Sequence, residues 1–168
     1  MTDTLLPAEL VDKARAVVEA NRKAGRRIAV AESCTGGLVS AALTEIPGSS
    51  EVFEAGYVTY SNAAKMSELN VALDVVETFG AVSVATAWAM AQGALEASGA
   101  DVAVAITGIA GPDGGTEQKP VGTVVFALAE RLPGPDKIVA DQKLFDAGEG
   151  RSGIRRQAAL CALELLLP

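Results

Sequence analysis

Two nucleophile candidates stand side by side in the run Ala31-Glu32-Ser33-Cys34-Thr35-Gly36-Gly37. The run follows the apolar stretch Ile28-Ala29-Val30-Ala31 and leads into Leu38-Val39-Ser40-Ala41-Ala42-Leu43, an order that reads strand, tight turn, helix. A helix N-terminus presents backbone N–H groups without internal partners and carries roughly half a positive charge from its aligned peptide dipoles. Small residues and glycines let a substrate approach that backbone. A nucleophile beside N–H donors, here those around Thr35, Gly36 and Gly37, is the geometry that acyl transfer requires. Other roles stay open at this point. Ser33 is also a preferred N-cap type. Cys34 is also a small core residue, although a helix N-terminus would lower its pKa.

The chain contains no histidine. Ser-His-Asp and Cys-His arrangements are therefore excluded within it, as are zinc sites built on His and Cys, because Cys34 and Cys161 are the only cysteines. A base must come from Lys, Asp, Glu or Tyr. Lys65 lies one turn into a helix that begins near Ser61-Asn62. It is a solvated surface lysine or, if buried, an amine with a lowered pKa that could take the proton of Ser33. Tyr60 could relay a proton or serve as a half-buried strand aromatic.

A second glycine-rich stretch, Thr107-Gly108-Ile109-Ala110-Gly111-Pro112-Asp113-Gly114-Gly115, lacks the Gly-Lys-[Ser/Thr] ending of a phosphate-gripping loop. Asp113 and Glu117 within and after it are solvated acids or cation ligands, and with Glu32 they form the set a divalent-metal hydrolase would use. Arg151 and Arg155 lie one turn apart on one helix face. With Arg156, they could hold a phosphate or line a solvated surface. Arginine at a helix start opposes the dipole, which hints at a bound anion or an acidic neighbour.

The elements that must position these groups follow from periodicity and punctuation. Helices are expected over 7–24, from the Gly pair to about Ile46, from Ser61-Asn62, over 73–79, over 84–98 with Ser83 as cap, and over 151–167. Strands are expected near 27–31, 52–60, 102–106, 121–129 and 137–145, with Pro133-Gly134-Pro135 turning between the last two. The run Val102-Ala103-Val104-Ala105-Ile106 reads as buried on both faces. Early alternation of strand and helix followed by adjoining strands fits a three-layer α/β sandwich with a mixed sheet. If the first and third strands are parallel, the loops after them share one sheet edge, where open α/β sheets bind ligands. At 168 residues and 49 % apolar content, the chain suits one domain, 1–168, with a real core. A net charge of -7 argues against a nucleic-acid surface. No apolar run reaches membrane-span length, the start lacks signal-peptide order, and a cytoplasmic setting with free thiols is expected. The alanine-rich helices leave room for a homodimer.

Three stretches together, Ala31 to Gly37, Gly56-Tyr57-Val58-Thr59-Tyr60-Ser61-Asn62-Ala63-Ala64-Lys65, and Thr107 to Gly115 followed by Lys119-Pro120-Val121-Gly122-Thr123-Val124, resemble the CinA carboxy-terminal domain family in order and spacing. The sequence looks like the stand-alone form. The resemblance implies an α/β/α sandwich with a five-stranded mixed sheet. It also implies nicotinamide-nucleotide amidase activity: hydrolysis of nicotinamide mononucleotide to nicotinic acid mononucleotide and ammonia, in pyridine-nucleotide salvage, without metal or cofactor. Carried over, it makes Ser33 the nucleophile and Lys65 its partner, with Tyr60 nearby. On this scheme Thr107 and Gly108 open the loop that walls the substrate, and Arg151, Arg155 or Arg156 meets the phosphate. A regulatory nucleotide-binding module without turnover is the competing expectation.

Overall fold

The computed structural model describes residues 3–131 and 138–168. The expected turn at Pro133-Gly134-Pro135, residue 137 at the start of the expected fifth strand, and the first two residues lie outside the described residues. The elements in chain order are α1 (Ala8–Ala24), β1 (Ile28–Glu32), α2 (Leu38–Thr44), β2 (Phe53–Val58), α3 (Asn62–Leu69), α4 (Leu73–Phe79), α5 (Val84–Ser98), β3 (Val102–Gly108), β4 (Thr123–Glu130), β5 (Ile138–Leu144) and α6 (Gly150–Leu165). The sheet runs β2-β1-β3-β4-β5. The pairs β1–β2 and β1–β3 are parallel, while β3–β4 and β4–β5 are antiparallel. This is the expected five-stranded mixed sheet between helical layers.

The period-2 alternation of strand side chains gives the two sheet faces different characters. Ile28, Val30, Val102, Val104, Ile106, Val124, Phe126 and Leu128 pack with α1, α2 and α6. Ala29, Ala31, Ala103, Ala105, Ala127 and Ala129 pack with α5 and the ends of α3 and α4. Small side chains on that second face let α5 lie close to the sheet. Helix α5 also passes close to α3 at Gly93, where a Cβ would sit 2.0 Å from the carbonyl oxygen of Leu69. Only a residue without a side chain fits there. The alanines of α5 and α6 are largely spent inside the chain: Ala87, Ala91, Ala94, Ala158, Ala159 and Ala162 are buried against the sheet. They therefore do not themselves form a surface for a second copy.

The second strand is shorter than expected. Thr59 and Tyr60 leave the sheet because their carbonyls turn to Lys65, while the Thr59 N–H still donates to Glu32 O. No helix among the described residues is long and apolar enough to cross a membrane.

Candidate active site

Because β1 and β3 are parallel neighbours, the loops after both open on one sheet edge. The Ser33 N–H donates to Ile106 O, which ties the nucleophile turn to β3. On the other side, Ser61 caps α3 by accepting from Ala64 N–H at 3.0 Å. That cap fixes where the helix starts, and so aims Lys65 inward. Lys65 is 1 % exposed, and its Nζ lies 3.0 Å from Ser33 Oγ. The same nitrogen donates to Thr59 O at 2.8 Å and to Tyr60 O at 3.4 Å. Burial lowers the Lys65 pKa below its ordinary 10.5, outweighing the opposing influence of Cys34. A neutral amine has two N–H groups and one lone pair. With two of its bonding directions held by the two carbonyls, the amine turns a third to the serine hydroxyl.

Cys34 is the small core residue of the open alternatives. It is 5 % exposed, and burial, aided by the Glu32 carboxylate, pushes its thiol up to about 11 against the opposing pull of its own backbone N–H and the weaker pulls of Arg155 and Lys65. At pH 7 roughly one thiol in 10⁴ would be ionised at that value.

Ser33 is not the helix cap. The N-cap position of α2 is Gly37, at φ 98°, and its side-chain acceptor comes from Glu32. The Glu32 carboxylate is fully buried and takes five hydrogen bonds: Oε2 accepts from Thr35 Oγ1 (2.8 Å), Gly37 N (2.8 Å) and Val39 N (3.2 Å), and Oε1 accepts from Ser40 N (2.8 Å) and Ser40 Oγ (2.9 Å). The expected oxyanion donors need correction accordingly. The Gly37 N–H is taken by Glu32 and the Gly36 N–H by Ser33 O. Among the described residues, the N–H groups of Cys34 and Thr35 donate to no oxygen.

Ser33, Cys34, Tyr60, Lys65, Thr107, Gly108 and Arg151 line one cleft of about 260 Å³, with Asp113 at its wall. Thr107 donates its hydroxyl to Ala81 O at 2.8 Å, and Gly108 leaves room where a Cβ would meet Cys34 Sγ at 3.1 Å. A larger groove of about 470 Å³ between Leu69 and Trp88 has Glu96 as its only ionisable lining residue and no nucleophile. Among the described residues no group of three or more His, Cys, Asp or Glu could hold a metal ion.

The three arginines separate. Arg151 reaches the cleft, donating to Gly111 O at 2.6 Å and Tyr60 Oη at 2.8 Å. Arg155 does not line it: its guanidinium donates to Cys34 O at 3.1 Å and Thr35 O at 3.0 Å, which makes it a clamp on the turn. Arg156 lies in the second turn of α6, past the helix start, points to α1 and pairs with Glu9 at 3.0 Å. Neither Arg155 nor Arg156 is therefore placed to hold a phosphate in the cleft. The roles of Glu32 and Arg155 escape sequence pattern. One signal was available for Glu32, namely an acid at the end of a strand buried on both faces, where an ionisable group needs a full set of partners.

The fold and the cleft define an α/β/α sandwich with a buried Ser–Lys pair at the carboxyl edge of its parallel strands. The chain belongs to the CinA C-terminal domain family, which it matches over residues 11–168. It is similar to the nicotinamide-nucleotide amidohydrolase PncC of Enterobacter agglomerans, 50 % identical over 140 residues that cover 83 % of this chain and 82 % of the relative. A CinA-like protein of Mycolicibacterium paratuberculosis is 51 % identical over 143 residues, 85 % of this chain and 33 % of the relative. The chain thus spans about a third of the length of the first curated relatives it matches. Among solved structures, the competence/damage inducible protein CihA from Agrobacterium tumefaciens superposes with a TM-score of 0.91 at 44 % identity, covering 99 % of this chain and 97 % of that one.

Proposed function

We propose that this chain is an amidohydrolase that converts nicotinamide mononucleotide to nicotinic acid mononucleotide and ammonia. The similarity to a relative named for that activity supports the reaction class. The observation that carries the mechanism is the 3.0 Å separation of Lys65 Nζ from Ser33 Oγ in a chain without histidine.

Neutral Lys65 takes the Ser33 proton as Oγ attacks the carboxamide carbon. The C=O electron pair moves onto oxygen, and backbone N–H groups of the turn hold the resulting oxyanion. As the tetrahedral species collapses, the C–N bond breaks and the Lys65 ammonium gives its proton to the departing amine, directly or by way of the Tyr60 hydroxyl, which passes on one proton and regains one from Lys65, so that Lys65 is neutral again. The product is ammonia, with the acyl group left as an ester on Ser33. Water, deprotonated by Lys65, attacks the ester. Ser33 leaves with the proton, and the nicotinic acid nucleotide is released. Arg151, the arginine that lines the cleft, binds the 5′-phosphate. Thr107 and Gly108 shape the wall against the substrate ring. No step calls on a metal, so turnover persists in chelator.

Ammonia release from nicotinamide mononucleotide tests the reading. Wild type turns over, and Ser33→Ala and Lys65→Ala are inactive. Full activity in Ser33→Ala would end the serine scheme. Tight binding of the nucleotide by the wild type without any ammonia would favour a nucleotide-binding regulatory module.

A further inference from the structure

The nucleophile turn is held by a network that the reaction scheme does not use. From beneath, the Glu32 carboxylate gathers five donors from Thr35, Gly37, Val39 and Ser40. From outside, Arg155 on α6 gathers the carbonyls of Cys34 and Thr35. Within the turn, Gly36 N donates to Ser33 O, Leu38 N to Thr35 O, and Ser33 N to Ile106 O. Among the described residues, these bonds account for every N–H from Ser33 to Ser40 except two. The remaining two, on Cys34 and Thr35, belong to residues that are 5 % and 0 % exposed. The Cys34 N–H has no oxygen acceptor among the described residues and only its own sulfur beside it, a weak acceptor, so it gains a better partner when an oxyanion arrives. Cys34 also lines the cleft beside Ser33.

We infer that Glu32 is a positioning residue, assisted by Arg155: with Glu32 taking the donors of Thr35, Gly37, Val39 and Ser40 and Arg155 holding the carbonyls of Cys34 and Thr35, the turn leaves the N–H of Cys34, the residue that lines the cleft beside Ser33, as the donor that receives the substrate oxyanion. The inference rests on Ser33 being the nucleophile. The N–H of the residue after a nucleophile is well placed for this work, because it moves with the attacking atom. A carboxylate suits the position beneath. It is acceptor-only and offers about four lone-pair sites, so it can meet donors that converge from both sides of the turn. An amide in its place would point an NH₂ at one set of those donors. No cation forms an ion pair with Glu32 among the described residues. Its charge is held by hydrogen bonds from neutral donors at the start of α2, so the turn and the carboxylate stabilise one another.

The experiment compares wild type, Glu32→Gln and Arg155→Met in two assays on folded protein, with near-UV circular dichroism and melting temperature recorded for each. One assay is steady-state ammonia release from nicotinamide mononucleotide. The other is the rate at which a fluorophosphonate, whose phosphoryl oxygen mimics the oxyanion, labels Ser33. Glu32→Gln is expected to lose about 10²-fold in kcat, with KM moving far less and the labelling rate falling in step with kcat. Arg155→Met is expected to change in the same direction by a smaller factor. A role confined to stability would lower the melting temperature and leave kcat and labelling of the folded fraction at wild-type values, and that result overturns the inference. If Glu32→Gln does not fold, Arg155→Met decides by the same split. A wild type that is labelled at Ser33 but releases no ammonia removes the proposed substrate, while the labelling comparison still tests Glu32. A wild type that is neither labelled nor active removes the serine and, with it, this inference.

Discussion

Replacing Lys65 with methionine removes the amine and keeps most of the volume, in the place where the fold has buried its largest ionisable side chain. A positioned general base contributes about 10²–10⁴-fold, equivalent to about 3–5 kcal/mol of barrier, and kcat of Lys65→Met for nicotinamide mononucleotide should fall by that factor. Two of the Lys65 hydrogen bonds go to protein carbonyls rather than toward substrate, so KM should change less. The pH dependence is the sharper assay. Burial lowers the lysine's pKa in the folded chain below 10.5. Wild-type kcat/KM should therefore rise with pH to a plateau reached below pH 10.5, and that limb should be missing from any residual activity of the variant. Stability carries the same signature. Between the lowered pKa and 10.5, the unfolded chain holds a proton that the folded chain has released, so folding becomes more favourable as pH rises. The maximum slope is about 1.4 kcal/mol per pH unit. Below the lowered pKa both states are protonated and the slope vanishes. Denaturant titrations of wild type and variant across that window should diverge by this amount. Parallel curves, or wild-type turnover in Lys65→Met, would refute the buried neutral amine.

Cys34→Ala should keep kcat within a few-fold of wild type, because a buried thiol with a pKa of about 11 supplies no nucleophile; loss of turnover in a folded variant would move the attack one residue along. Arg151→Met should raise KM for the phosphorylated substrate by about 10–100-fold, the usual worth of a charge-assisted contact, and should leave KM for nicotinamide riboside nearly unchanged, as read in the same ammonia assay. Phe126→Ala removes a fully buried ring that meets Phe145 edge-on at 6.5 Å. It should cost about 3–5 kcal/mol in denaturant unfolding, with no specific effect on kcat of the folded enzyme.

The strands were legible because Val102 to Ile106 and Ile28 to Ala31 have room for only one kind of element between their breakers. The Ser33 turn and the helix that carries Lys65 were legible from Gly36-Gly37 and the Ser61 cap. What sequence pattern left open was direction across the chain. Arg151 and Arg155 share a helix face, yet one reaches Gly111 and Tyr60 while the other reaches Cys34 and Thr35. Those partners lie far away in sequence, and tertiary packing alone brings them near. Ser33 and Cys34 were inseparable by type and spacing. They separate through the aim of a lysine from another element at Ser33 and through the raised pKa of the Cys34 thiol. Glu32 was visible only as an acid beside a nucleophile, because the backbone donors that saturate it converge only once the turn has folded.

The contact between Gly93 and Leu69 ties the chemistry to a helix that contributes nothing to the cleft. Lys65 rides on α3 one turn before Leu69, so the helix that carries the amine ends against a backbone that only glycine lets come so near. A methyl group added at Gly93 would press on the end of the same helix whose Lys65 stands 3.0 Å from the serine hydroxyl.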